Sequence, residues 1–241
     1  MKKKGLTIAI DGPSGAGKST VARLLAKKLD YIYIDTGAMY RAVGWKTKQE
    51  GIDPSSEGKL AALCMKTAIT IQSKNNDPRI FADGIDVSEA IRAPEMGMMA
   101  SLVSQSPGVR ARLLILQRKL GKNGGVVMDG RDIGTVVFPD AEIKFFLDAS
   151  PEERGRRRYL ELKAKGMNVD LAQITKGIQD RDQQDSSRSL APLKKADDAI
   201  LIDSTKCSIE ETIETMMKVI AEKLKCQSSG QTRSHGSLSS R

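Results

Sequence analysis

Gly5-Leu6-Thr7-Ile8-Ala9-Ile10-Asp11-Gly12-Pro13-Ser14-Gly15-Ala16-Gly17-Lys18-Ser19-Thr20 is the stretch that decides the fold. Its first half, Gly5 to Asp11, is a short apolar run of the kind buried on both faces of a sheet. From Gly12 to Ser19 it fits the pattern G-x-x-x-x-G-K-[ST]. Beyond that, Val21, Leu24, Leu25 and Leu29 recur at helical spacing, so a helix runs from about Lys18 to Leu29. Strand, glycine-rich turn and helix in this order make a phosphate-binding loop. Glycines let the backbone curl until successive N–H groups face phosphate oxygens, and the helix start adds unpaired donors and partial positive charge. Lys18 is placed for the β- and γ-phosphates of a nucleoside triphosphate, and the Ser19 hydroxyl for Mg2+. Gly12, Pro13, Ser14, Gly15, Ala16, Gly17, Lys18, Ser19 and Thr20 are therefore the candidate ATP contacts.

Working outward, the same alternation repeats. Tyr31–Ile34, Val126–Met128, Ile143–Leu147 and Ala199–Ile202 are short runs rich in β-branched or aromatic residues, and the last three are each followed by an aspartate. Helical patterns separate them. One runs from Pro107 to Leu120 behind Ser106 as cap, and one from the Ser150-Pro151-Glu152-Glu153 capping box to about Lys165. A last one opens at Ser208 with Glu211. This predicts an α/β fold of the P-loop NTPase type, a parallel sheet flanked by helices on both faces. Between Thr67 and Ile91 the alternation breaks, and Asp83-Gly84 between apolar segments signals a hairpin, hence a small antiparallel β insert. No internal repeat is present, and the Ser/Gly-rich stretch 227–241 reads as disordered.

Composition narrows the chemistry. No apolar run reaches the roughly 18 residues of a membrane helix, and Met1-Lys2-Lys3-Lys4-Gly5 lacks the pattern of a signal peptide, so the expected compartment is cytoplasmic. Cys64, Cys207 and Cys226 are widely spaced, as suits reduced thiols. The single histidine, His235, lies in the tail, which argues against a zinc site or a His general base. The net charge of +9 owes five units to Lys2, Lys3, Lys4, Arg233 and Arg241, leaving about +4 on the rest. Arg154, Arg156, Arg157 and Arg158 are clustered, a pattern suited to a small polyanion at least as well as to a nucleic acid.

Three further clusters fall where ligands bind in such sheets. Asp35-Thr36-Gly37-Ala38-Met39-Tyr40-Arg41 follows the second strand, at the carboxyl edge of the sheet. Asp129-Gly130-Arg131-Asp132 follows the third strand-like run; Asp129 is either a carboxylate near the metal or a structural turn residue. Arg181, Asp185 and Arg188, at offsets of four and seven, share one helical face, which an exposed ion pair would also explain. The N-K-x-D signature of guanine-specific GTPases is absent. Many internal arginines in a compact chain fit a kinase that supplies its own phosphate clamps.

Taken together, Ile10–Thr20, Asp35–Arg41, Met128–Gly134 and Arg181–Arg188 resemble the bacterial type of cytidylate kinase, which passes a phosphoryl group from ATP to CMP or dCMP; the similarity extends from about Leu6 to Leu224. The resemblance implies that Thr36, Tyr40, Arg41 and Arg131 hold the acceptor phosphate. It implies that Ser101, Arg110, Asp132 and Arg188 read the cytosine edge, and that Arg181 and Asp185 hold the sugar. Lys18, Arg41, Asp129 and Arg131 form the implied catalytic set, with Ser19 as the metal ligand and Mg2+ entering with ATP. Arg157 and Arg158 are expected over the triphosphate from a short helical lid. Ser19 stands where many relatives carry Gly. The expected organisation is a kinase core of residues 1–66 and 104–226 with the lid at about 151–166, a monophosphate-binding insert of 67–103, and a tail of 227–241. The expected protein is a monomer with small-molecule substrates, needing neither nucleic acid nor membrane. A kinase for another monophosphate or small metabolite, a P-loop NTPase switch, and a nucleic-acid-binding protein are the alternatives.

Overall fold

The computed structural model describes residues 5–74 and 77–232. Along the chain, β1 (Thr7–Asp11), α1 (Lys18–Leu29), β2 (Ile32–Asp35), α2 (Thr36–Gln49) and α3 (Glu57–Lys66) lead into β3 (Ile69–Lys74), β4 (Asp77–Ala82) and β5 (Ile85–Asp86). Then come α4 (Pro94–Val103), α5 (Pro107–Gly121), β6 (Val126–Gly130), a π-turn at Ile133–Val137, β7 (Ile143–Asp148), α6 (Pro151–Ala164), α7 (Leu171–Ser187), β8 (Ile200–Asp203) and α8 (Ile209–Thr232).

The five strands of the main sheet lie in the order β2-β6-β1-β7-β8, and all pairs are parallel. Side chains alternate across it. Ile8 and Ile10 of β1 pack with Val21, Leu25, Ile213, Met216 and Ile220 of α1 and α8, whereas Ala9 joins Ile34, Met128, Ile133 and Val137 on the other face. Burial on both faces requires the near-continuous apolar runs seen in the sequence. The predicted helix from Lys18 to Leu29 coincides with α1, and β2, β6, β7, β8, α5 and α6 sit within one or two residues of their expected positions, whereas α2, α3 and α4 had no predicted bounds.

The insert is the three-stranded antiparallel sheet β3-β4-β5. Asp83 and Gly84 have φ of 52° and 80°, the left-handed pair of a two-residue hairpin. Its apolar side, with Ile69, Ile80 and Ala82, shares a second core with Met39, Val43 and Leu60, and Leu113 of α5 also belongs to it.

Two expectations change. The chain was expected to lose structure at 227, but α8 continues through Thr232; 233–241, with His235, and Lys2–Lys4 lie outside the described residues. The capping box at Ser150 is half made. Ser150 Oγ accepts from Glu153 N at 3.3 Å, but Ser150 N donates to Thr205 Oγ1, and the Glu153 carboxylate turns instead to Arg156 and Arg157. At Ser208 the box is complete, with Ser208 N donating to Glu211 at 2.8 Å and Glu211 N to Ser208 Oγ at 3.1 Å.

Candidate functional site

All five strands of the main sheet carry an aspartate at or beside their carboxyl ends, and the candidate site gathers there. The loop from Gly12 to Gly17 leaves β1 so tightly that a Cβ on Gly12, at φ 147°, would lie 2.0 Å from Leu147 O. Gly17, at φ 89°, caps α1 from the left-handed region. These two glycines are therefore dictated by backbone geometry.

Lys18 is buried, and its Nζ donates to Pro13 O at 2.5 Å. Burial first, then the neighbouring Arg131, holds the Lys18 ammonium well below its ordinary value. Ser19 Oγ donates to Asp129 Oδ2 at 2.8 Å. Asp129 Oδ1 is buried without a hydrogen-bond partner, and burial with the nearby Asp35 pushes this carboxyl up to about 6. A hydroxyl beside an orphaned carboxylate oxygen is the oxygen-only donor pair a Mg2+ ion takes when phosphates and waters supply its other ligands. Among the described residues no cluster of three His, Cys, Asp or Glu side chains competes for a metal.

Of the two arginines expected over the triphosphate, Arg157 reaches the loop region. Glu153 orients it at 2.9 Å, it donates to Ser204 O at 2.6 Å, and its Nη1 lies 3.9 Å from where a Cβ on Gly17 would stand. Arg158 pairs with Glu161 at 2.7 Å, and among the described residues no hydrogen bond joins it to the loop. Arg154, not singled out in advance, binds the loop directly: it donates to Ser14 O at 2.9 Å and pairs with Asp182. Asp182 in turn accepts from Ser14 N at 3.0 Å, and Arg181 Nη1 donates to Ser14 Oγ at 3.3 Å. Arg154 was visible only as the first of four clustered arginines, and Asp182 as the neighbour of Arg181.

Next to the loop, one cleft is lined by Thr36, Tyr40, Ser101, Arg110, Arg131, Asp132, Arg181, Asp185 and Arg188, with Gly37, Ala100, Ser104 and Gly130 between them. The expected acceptor set is thus brought together from α2, α4, α5, the turn after β6 and α7, except for Arg41. Arg41 pairs with Asp35 at 2.9 Å, the residue that also caps α2 by accepting from Ala38 N. The Thr36 hydroxyl donates to Asp129 O at 2.7 Å, which ties the start of α2 to the end of β6.

Asp185 is the hub of the cleft. Its carboxylate lies 3.0 Å from Arg131 Nε, 3.9 Å from Arg188 and 4.0 Å from Arg181, and it accepts from Ser101 Oγ at 3.0 Å. Asp185 is buried and Arg181 half-buried, so the pair belongs to a network inside the cleft, and the alternative of an exposed ion pair falls away. Arg110 pairs with Asp132, both buried, and stands over the Tyr40 ring at 5.7 Å. Burial pushes the Tyr40 hydroxyl up to about 12, so it stays a donor at neutral pH. Arg188 Nη1 donates to Ser104 Oγ, while its Nη2 is buried without a hydrogen-bond partner. Arg181 is held down at about 10, first by burial and then by Arg131. Cations are crowded here beyond what the carboxylates balance, the condition that favours a polyanionic ligand.

A parallel sheet with this loop beside a cationic cleft defines a P-loop kinase. The sequence profile described as Cytidylate kinase matches residues 8–222. A cytidylate kinase from Geobacter sulfurreducens is 52% identical over 221 residues, covering 92% of this chain and 95% of that protein. One from Syntrophotalea carbinolica is 53% identical over 218 residues, covering 90% and 93%. The chain belongs to the cytidylate kinase family. Among solved structures, an uncharacterized protein from Eubacterium ventriosum is similar at a TM-score of 0.51 with 15% identity, covering 90% of this chain and 98% of that one, a likeness of fold alone.

Proposed function

We propose that this protein transfers the γ-phosphoryl group of ATP to CMP and dCMP, giving CDP and dCDP. The observation that carries the proposal is the cationic cleft beside the loop: Lys18 and Arg181, both held below their ordinary values, adjoin Arg131 and the Arg110–Asp132 pair. In this reading Gly12–Thr20 and Arg157 hold ATP. Thr36, Tyr40, Arg41 and Arg131 hold the CMP phosphate. Asp132 accepts from the cytosine amino group, and Arg110 and the unpaired Nη2 of Arg188 donate to O2 and N3. Ser101 joins them at the base edge, and Arg181 and Asp185 take the sugar side. Ser19 and Asp129 would hold Mg2+, which screens phosphate charge as the phosphoryl group moves.

The attacking oxygen is a phosphate oxygen that is already anionic, so no general base is required. Catalysis then reduces to alignment and charge compensation by Lys18, Arg41 and Arg131. The insert of 67–103 and the lid at about 151–166 would close over the two nucleotides and exclude water, limiting ATP hydrolysis. A cytoplasmic location belongs to the same reading; no described helix is long and apolar enough to cross a membrane.

The test is an acceptor panel at fixed ATP and Mg2+. CMP and dCMP should outpace UMP and AMP by at least about tenfold in kcat/KM, the discrimination expected where buried groups pair with a base edge. Equal rates across the panel, or nucleotide hydrolysis unaffected by any acceptor, would refute the reading.

A further inference from the structure

The turn bearing Arg131 and Asp132 is held from outside the cleft by a carboxylate given no role so far. Asp11, the last residue of β1, is 3% exposed. Its Oδ1 accepts from Ile133 N at 2.8 Å and its Oδ2 from Gly134 N at 2.7 Å. Asp11 immediately precedes Gly12, where the phosphate-binding loop begins, and Ile133 immediately follows Asp132. One side chain thus joins the root of the donor loop to the acceptor turn.

The surroundings leave that turn little room. A Cβ on Gly130 would come within 2.7 Å of Thr36 Oγ1 and Ile133 Cδ1, and one on Gly134 would stand 3.1 Å from Lys144 Cδ and 3.4 Å from Asp11 Oδ2. The charged groups nearby are Asp132 from the turn, Lys18 from α1, Asp129 at the end of β6 and Lys144 on β7, the last with its Nζ engaged by Pro139 O and Asp198. Burial pushes the Asp11 carboxyl up to about 7; the two amides draw it down, Asp132 raises it and Lys18 lowers it. No salt bridge involves Asp11 among the described residues. A buried carboxylate without an ion-pair partner is a poor device for stability, so its value lies in geometry.

We propose that Asp11 is a positioning residue for phosphoryl transfer: by accepting from the amides of Ile133 and Gly134 it fixes Arg131 and Asp132 relative to the loop that starts at Gly12. The inference rests on the proposed CMP kinase activity, and Asp11 touches neither nucleotide. Displacements of about 1 Å in such a frame cost on the order of a hundredfold in rate.

The test is Asp11→Asn, which keeps the shape but accepts from one amide while turning an NH2 toward the other. The side chain is isosteric and cannot take up a buried negative charge, so folding should survive, as thermal unfolding will verify. Wild-type turnover of CMP reads the activity itself; the ratio of variant to wild type reads Asp11. The variant should raise KM for CMP about tenfold, on the scale of one charge-assisted hydrogen bond, and lower kcat. KM for ATP should stay within about twofold, and the preference for CMP over UMP should shrink as Asp132 loses its place. Unchanged constants, or equal rises in both KM values with the CMP preference intact, would overturn the proposal. Hydrogen exchange on the wild-type protein tests the clamp without any variant: the amides of Ile133 and Gly134 should exchange as slowly as those of β1, and rapid exchange there would overturn it.

Discussion

Asp185→Ala is the substitution whose consequence the cleft defines most sharply. The Asp185 side chain is 4% exposed and faces Arg131 at 3.0 Å, with Arg188 and Arg181 at 3.9 and 4.0 Å. Solvent screening, which reduces surface pairs to less than about 1 kcal/mol, is excluded at this burial. Removing one partner of a buried ion pair costs about 3–5 kcal/mol. Arg188 and Arg181 keep other partners at Ala191 O and Ser14 Oγ, so the lower end, about 3 kcal/mol, is expected. For a protein of this size each kcal/mol moves Tm by about 2–4 °C, so the midpoint should fall by about 6–12 °C. The pH dependence has a definite sign. Burial pushes the Asp185 carboxyl up, but Arg131, Arg181 and Arg188 outweigh it and hold it below its ordinary value of 3.8. Its contribution is therefore fully present above pH about 4 and lost as pH falls through the lower folded-state value. Melting wild type and variant from pH 8 down to pH 3 should show a constant gap that narrows only at the acid end. A midpoint loss below about 2 °C at neutral pH would refute the reasoning, placing the pairs around Asp185 on a par with surface ones.

Lys18→Ala should lower kcat about a hundred- to a thousandfold, as for the loss of one transition-state charge contact, with KM for CMP little changed; steady-state kinetics at saturating ATP checks it. Arg157→Ala should raise KM for ATP several-fold, while Arg158→Ala should stay within about twofold because its partner is the surface carboxylate Glu161. If the two variants behave alike, the separation of their roles fails. CMP should tighten binding of a non-hydrolysable ATP analogue by about fivefold or more, measured by calorimetry with and without CMP. Identical affinities would show that the two sites are not coupled through Arg131.

The core of the fold was legible because parallel strands buried on both faces must be apolar runs and the phosphate loop has a strict glycine pattern. Helix α1 and the Asp83-Gly84 hairpin were readable to the residue for this reason. What escaped depended on partners far away in sequence. Ser150 and Glu153 spell a capping box, yet two arginines on the same helix outbid the backbone for the Glu153 carboxylate. The Arg181–Asp185 offset gives the face but not its burial, which comes from α4 and the turn after β6 packing over it. Arg154 and Asp182 meet across 28 residues, and each meets Ser14 from more than 100 residues away, so no local pattern distinguishes them from their neighbours.

The arrangement around Arg131 explains why donor and acceptor sites should respond to each other. Arg131 is the second-largest influence, after burial, holding Lys18 and Arg181 below their ordinary values. Lys18 and Ser14 are meanwhile occupied internally, by Pro13 O and by Asp182. A phosphate arriving at Arg131 offsets the charge that Lys18 experiences, favours its ammonium form and makes the exchange of Pro13 O for a phosphate oxygen less costly. Linkage requires the reverse as well, so a triphosphate on Lys18 would strengthen the hold proposed for Arg131 on the acceptor. The crowding that weakens each cation in isolation is thus the property through which two polyanions can occupy neighbouring sites together.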